Sequence, residues 1–162
     1  GQTLLAVYPK GHGGGAIVYK RSTDGGLTWS RLGEVPIDRS VPTGFKLLAV
    51  NMDGCGVTKN GTILFHYTKQ FNAGEAYDSY AATFHAECYI VRSTDRGKSW
   101  QPPVRLASKG FNCVGTGRAR FVRLPGGVIG LPMETWNAAR SGRPPFLGHA
   151  STVSGLATAR TC

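Results

Sequence analysis

The sequence predicts an all-β chain assembled from tandem antiparallel hairpins, and three observations carry that prediction. Short runs of β-branched and aromatic residues alternate with turn residues, among them 23 Gly and 9 Pro. The octet Ser22-Thr23-Asp24-Gly25-Gly26-Leu27-Thr28-Trp29 recurs as Ser93-Thr94-Asp95-Arg96-Gly97-Lys98-Ser99-Trp100, so that both read S-T-D-x-G-x-[ST]-W. Two further segments, 57–67 and 121–131, have the form strand, tight turn, strand, with Asn60-Gly61 and Pro125-Gly126-Gly127 at the turns. No amphipathic helical pattern competes with this reading.

Each octet follows an apolar run, Ala16-Ile17-Val18-Tyr19 or Cys88-Tyr89-Ile90-Val91, and leads into a shorter strand-like run. The octet is a turn that carries its own clamp. A short carboxylate, Asp24 or Asp95, accepts hydrogen bonds from amides a few residues on, Gly26 or Gly97 supplies a positive φ, and Trp29 or Trp100 covers the turn. Ser22, Asp24, Gly26, Trp29, Ser93, Asp95, Gly97 and Trp100 are therefore expected to be structural, with both carboxylates occupied in the turn.

The pattern repeats at roughly 70 residues, longer than the ~40–50 of common propeller repeats, and each period holds two hairpins. Two hairpins in tandem make a four-stranded antiparallel unit, the blade of a β-propeller. With strands A to D named from the hub outward, the first blade supplies B at Thr3 to Tyr8, C at Ala16 to Ser22 and D at Trp29 to Val35. The second supplies A at Cys55 to Thr58, B at Thr62 to Thr68, C at Cys88 to Ser93 and D at Trp100 to Leu106. The third begins with A at Arg118 to Leu124 and B at Val128 to Glu134. Residues 137–162 show no alternation and no third octet, which leaves an irregular segment with at most one weak strand. The count is about two and a half blades over residues 1–136, and propellers close with four to eight. A part of a longer protein is the expected explanation; a small β-sandwich is the structural alternative.

A net charge of +10, from 19 Lys and Arg against 9 Asp and Glu, favours anionic partners. The basic residues form no block, so a solvated surface is expected rather than a nucleic-acid interface. No apolar run is long enough to span a bilayer. The four cysteines, Cys55, Cys88, Cys113 and Cys162, show no C-x-x-C spacing, which argues against a structural zinc site. Cys55 and Cys113 sit just before successive inner strands and are expected as buried free thiols, with a bond between neighbouring blades as the other option.

Antiparallel order places the A–B and C–D turns on one face and the B–C loops and blade connections on the other. The octets fall on the tight-turned face, so function is expected on the loop face. There the sequence places His12 in the first B–C loop, Asn51 and Asp53 before the second A strand, and the segment from Phe71 to Glu87 with Tyr77, Asp78, Tyr80, Thr83 and His85. Aromatic rings interleaved with carboxylates suit a sugar, which stacks its apolar face on Tyr and bonds its hydroxyls to carboxylates. Glu134 closes the third B strand on the same side, and Arg118 starts the third A strand near the hub, where its fork fits a carboxylate.

On these residues the chain resembles the non-viral sialidase (neuraminidase) superfamily, whose Asp-box, or BNR repeat, reads S-x-D-x-G-x-x-W. Both octets match every fixed position, and the segments G-x-T-L-L-A, I-V-x-x-R-S-T-D-G-G-x-T-W-S and G-T-G-R-x-R-F-V-x-L-P-G-G follow the order of its first three blades, over about Gly1 to Trp136. The resemblance implies a six-bladed propeller that releases terminal sialic acid from glycans with retention and without a cofactor or metal, in a secreted or periplasmic setting. It implies three arginines on the substrate carboxylate, a Tyr nucleophile activated by a Glu, and an acid/base Asp in the first B–C loop. The first arginine would precede Gly1; the acid/base Asp would fall in the loop Pro9 to Gly15, which holds no carboxylate and only His12 as a group titrating near neutrality. The Tyr/Glu pair and the other arginines belong to later blades. The expected function is thus hydrolysis of terminal sialic acid by the parent protein, with this chain inactive by itself and needing the remaining blades. The alternative is a non-catalytic propeller of the same kind that binds glycan or protein. Asp78, Glu134 and His12 are the catalytic candidates, and Asp53, Tyr77, Tyr80 and Arg118 the candidates for substrate contact.

Overall fold

A computed structural model describes residues 2–11, 15–73, 83–108, 110–115, 119–138 and 153–159. The first hairpin, β1 (Leu4–Pro9) and β2 (Ile17–Ser22), pairs from Leu4↔Ser22 to Pro9↔Ile17, and β3 (Gly33–Glu34) adds to β2 to complete a three-stranded sheet. A second, curled sheet holds β4 (Lys46–Val57), β5 (Ile63–Asn72), β6 (His85–Ser93), β7 (Val104–Arg105), β8 (Cys113–Gly115), β9 (Val122–Arg123), β10 (Ile129–Trp136) and β11 (Val153–Ala159). Its main path runs β11-β10-β8-β6-β5-β4, with β7 on β6 and β9 on β10. β4 to β7 form an antiparallel meander, the A-to-D order expected of the second blade. Beyond residue 137, where the sequence shows no alternation, β11 pairs with β10 along its whole length.

Several expectations are corrected. The second A strand starts at Lys46 rather than Cys55, bulging between Leu47 and Ala49 and between Met52 and Gly54, so Asn51 and Asp53 lie inside a strand and not in the connection before it. Its alternation was masked because each bulge shifts the side-chain period by one residue. The third A strand likewise begins earlier, as β8, and resumes as β9. The outer D strands are shorter than their apolar runs suggest. Isolated ladder bonds flank each of them, from Ser30 N to Arg21 O (2.8 Å) and from Gln101 N to Arg92 O (2.9 Å). Pro102 and Pro103 have no N–H to continue the second, and short, interrupted edges limit pairing with other chains.

β5 is covered on both faces. Phe65 and Tyr67 pack toward the first blade, and Lys69 and Phe71 continue that strand face under the β3–β4 connection and His85. His66 and Thr68 lie on the other face, where His66 meets Ala119. Ile17, Val35, Val50, Phe65, Tyr67, Tyr89 and Val91 form the core between the first and second blades, and Cys88, Val114 and Leu131 anchor the core toward the third. Each fully buried large side chain such as Phe65 contributes about 1.5–3 kcal/mol, so these inter-blade layers hold the blades in place. Cys88 and Cys113 are buried free thiols, whereas Cys55 is free but exposed, contrary to expectation, because its position on the bulged β4 turns it outward. Among the described residues no helix is long and apolar enough to cross a membrane.

Candidate functional site

β5 explains where polar chemistry gathers. Ile63, Phe65, Tyr67, Lys69 and Phe71 share one face, so Lys69 stands on an otherwise apolar stripe and is only 3% exposed. A buried ammonium requires partners, and the neighbouring elements bring them. Lys69 Nζ lies 3.1 Å from Asp38 Oδ2 and 3.1 Å from Glu87 Oε2, and it donates to the Ser40 carbonyl oxygen at 2.7 Å. Its three N–H donors are thereby matched by three acceptors. Glu87 comes from β6, and Asp38 and Ser40 from the connection between β3 and β4. Arg105 of β7, 57% exposed, closes on Glu87 Oε1 at 3.0 Å.

Tyr89 completes the cluster. Its hydroxyl is 2.8 Å from both Asp38 Oδ2 and Glu87 Oε2, and its single proton is shared between the two carboxylates. Burial, reinforced by bonds to those carboxylates, drives the Tyr89 phenol far above its ordinary value. The stacked neighbour Tyr67, with ring centroids 5.1 Å apart, is pushed up to about 12, chiefly by burial, while its hydroxyl accepts the Asp38 N–H at 2.7 Å. Burial raises the Asp38 carboxyl, but bonds from Ser40, Tyr89 and Lys69 outweigh it and hold the group well below the usual carboxylate range. Both phenols are neutral at physiological pH, and the two carboxylates balance Lys69 and Arg105. The arrangement locks charge in place and offers polar contacts through the exposed Arg105 and the half-buried Asp38.

Above this layer, at the loop-side ends of β5 and β6, Phe45, Phe71 and His85 pack together. Phe71 and His85 stack at 5.1 Å, and Phe45 meets both edge-on. Lys69 Nζ sits 5.5 Å from the Phe71 ring and 5.0 Å from the Tyr89 ring, within cation–π range. His85 and Glu87, read from the sequence as part of a long loop, belong to β6.

Of the residues singled out in the sequence, His12, Tyr77, Asp78, Tyr80 and Arg118 lie outside the described residues. Asp53 is in β4, turned toward the third blade, where it accepts a hydrogen bond from the Thr68 hydroxyl and lies 4.0 Å from His66 Nδ1. The buried His66 binds the Ala119 carbonyl oxygen through Nε2 at 2.8 Å, so that nitrogen carries a proton; burial, against the bond to Ala119 and the charge of Asp53, lowers its pKa. Glu134 is exposed on β10 opposite Gly115. Asp53, Glu134 and the Lys69 cluster thus occupy separate places. Asp38, Lys69, Tyr89 and Arg105 were missed. The signal for Lys69 was a cation on the apolar stripe of a strand; Asp38 and Arg105 carry no local signal, because only packing brings them to it.

A separate groove of about 590 Å³ opens between the first blade and the second octet, lined by Tyr19, Glu34, Ile37, Arg39, Ser99 and Trp100 among others. Among the described residues no group of three or more His, Cys, Asp or Glu side chains is placed to hold a metal ion.

No protein-family profile matches the sequence, and no curated protein does. A solved structure described as "Hadza microbial sialidase Hz136" is similar in fold, with a TM-score of 0.57 and 17% sequence identity over 85% of this chain. The match covers 31% of that structure, so this chain spans about a third of its length. The all-β meander, the curled sheet and this likeness together give the chain a sialidase-like fold, a partial β-propeller.

Proposed function

We propose that this chain builds blades of a sialidase-like glycosidase, the two octets being its Asp-boxes, and that the whole protein hydrolyses terminal sialic acid or a related sugar on glycans. The observation that carries the reading is the fold likeness to a sialidase over 85% of the chain. A net charge of +10 suits a substrate whose terminal sugar bears a carboxylate. On this reading Tyr77, Asp78, Tyr80, Asp53, Arg118, Glu134 and His12 are the positions to probe for substrate contact. The Lys69 cluster holds the blade connection under that surface. Its phenols are neutral and its ammonium fully bonded, which fits positioning rather than attack on a substrate.

The second reading is a non-catalytic propeller that binds glycan or protein. It is favoured by one observation, the absence of a carboxylate from the loop Pro9 to Gly15. Turnover of a fluorogenic sialoside by the whole protein, together with binding to sialylated and desialylated glycans, separates the two. Release of the fluorophore is expected. Retained, sialic-acid-dependent binding without turnover would replace the hydrolase by the binder, and neither turnover nor binding would remove both.

A further inference from the structure

The hairpin between β4 and β5 carries a feature that the fold and the proposed activity leave unused. Asn60-Gly61-Thr62 is the one N-x-[ST] triplet in the 162 residues, and its middle residue is not Pro. It stands at the tip of a tight turn on the same face as the octets. Asn60 and its neighbour Lys59 are exposed. Gly61 has φ +85°, and a Cβ built there would meet nothing within 4 Å, so the flank of the turn is open.

The turn holds the Asn60 carboxamide by one end only. Oδ1 accepts the Thr58 hydroxyl and the Thr62 N–H, the latter at 3.3 Å, and no hydrogen bond involves Nδ2 among the described residues. The rest of the hairpin closes without Asn60. Thr58 N donates to Thr62 O at 2.9 Å, Gly61 N to Thr58 O at 3.1 Å, and the Thr58 hydroxyl also lies 3.1 Å from Thr62 O. A substituent on Nδ2 therefore breaks no recorded bond and meets no neighbouring side chain at Gly61.

We propose that Asn60 is an acceptor for an N-linked glycan. The donor class is an oligosaccharide linked to a lipid pyrophosphate. Nδ2 forms a bond to the anomeric carbon of the first sugar, the anomeric C–O bond to pyrophosphate breaks, the lipid pyrophosphate leaves with the electron pair, and the proton from Nδ2 passes to a base of the transferase. The Thr62 side chain marks the acceptor for that enzyme, and Gly61 gives it an unhindered approach. Because the turn lies on the octet face, the glycan projects away from the loop-side ends of β5 and β6 and leaves that surface uncovered.

The test is secretion of the full chain behind a cleavable leader from a eukaryotic host that performs N-glycosylation. Secreted and cell-associated protein are read by intact mass and by digestion with peptide N-glycosidase in heavy-oxygen water, which distinguishes enzymatic release from spontaneous deamidation of an Asn-Gly pair. A single glycan is expected, located at Asn60 by the heavy-oxygen label. Asn60→Gln and Thr62→Ala should abolish it, Thr62→Ser should retain it, and Asn60→Asp, which keeps the Oδ1 acceptor and hence the turn, should give unglycosylated protein with an unchanged circular dichroism spectrum. Wild-type chain without the glycan, or an increment that persists in Asn60→Gln, overturns the proposal.

Discussion

The two octets have nearly the same sequence and the same internal clamp, yet they are used differently. In the first, Ser22 Oγ donates to Asp24 Oδ1 at 2.7 Å and accepts Gly26 N at 2.8 Å, while Thr28 donates to Asp24 through its amide (3.0 Å) and its hydroxyl (2.5 Å). The second repeats the pattern with Ser93, Asp95, Gly97 and Ser99 at 2.8, 2.8, 3.0 and 2.5 Å. The tryptophans then diverge. Trp29 folds back, donates to Gly26 O at 3.0 Å and stays 42% exposed beside Leu27, which is 86% exposed. Trp100 instead meets Tyr19 of the first blade edge-on at 5.6 Å, and its buried Nε1 has no hydrogen-bond partner among the described residues.

The first blade covers the second octet at further points. Arg21 Nε donates to Arg96 O at 2.9 Å, Tyr19 OH reaches Lys98 O at 3.4 Å, and Leu5 packs on Gly97. The lesson is that the octet specifies its own turn, whereas the neighbouring blade decides whether the Trp is a local lid or an inter-blade wedge.

Several substitutions break or sharpen this contrast, each read by urea unfolding. The largest effect is expected where the same joint is clamped at its loop-side end. Lys69→Met leaves Asp38 and Glu87 facing each other without the ammonium, at a cost of about 3–5 kcal/mol. Next, Trp100→Ala removes the wedge and should cost about 3 kcal/mol, against about 1 kcal/mol for Trp29→Ala, which loses one hydrogen bond and partial burial. Equal losses would mean that the two tryptophans are not used differently. Gly97→Ala adds a Cβ 2.9 Å from Leu5 Cδ1 at φ +77° and should cost about 2–3 kcal/mol. Gly26→Ala, at φ +100° with Leu4 at 3.3 Å, should cost about 1–2 kcal/mol.

The smallest difference is expected in acid. Hydrogen bonds from the side chain and amide of Thr28 hold Asp24 well below the usual carboxylate range, and those from Ser99 do the same for Asp95. A carboxyl lowered by folding contributes fully above its unfolded pKa of ~3.9 and loses that contribution as pH falls through the folded value. Asp24→Asn and Asp95→Asn should therefore destabilise at neutral pH to similar extents and flatten the loss of stability below about pH 4. A marked difference between them would show that the neighbouring blade reaches into the clamp itself.

Legibility followed the range of the interactions. The octets, the Asn60-Gly61 hairpin and the C strands were readable because a turn residue or a two-residue period acts over a few positions. β4 was foreshortened in the sequence because its bulges break the alternation, and β8 was invisible at three residues. Among the candidate site residues, Glu134 sits two residues before the end of β10 instead of closing the strand, Asp53 lies within the sheet, and His85 and Glu87 belong to β6. Asp38 and Arg105 could not have been linked to Lys69 from the sequence, because they come from a blade connection and a two-residue edge strand.

The sequence by itself determined the all-β class, the tandem hairpins and the internal clamp of both octets, because each rests on hydrogen bonds and steric limits that close within about eight residues. Only the tertiary structure decided which Trp packs between blades, which partners neutralise Lys69 and on which side of the second blade Asp53 lies. Those outcomes depend on which blade packs against which. Burial and charge pairing between blades are set by residues tens of positions apart in the chain, and no local pattern records them.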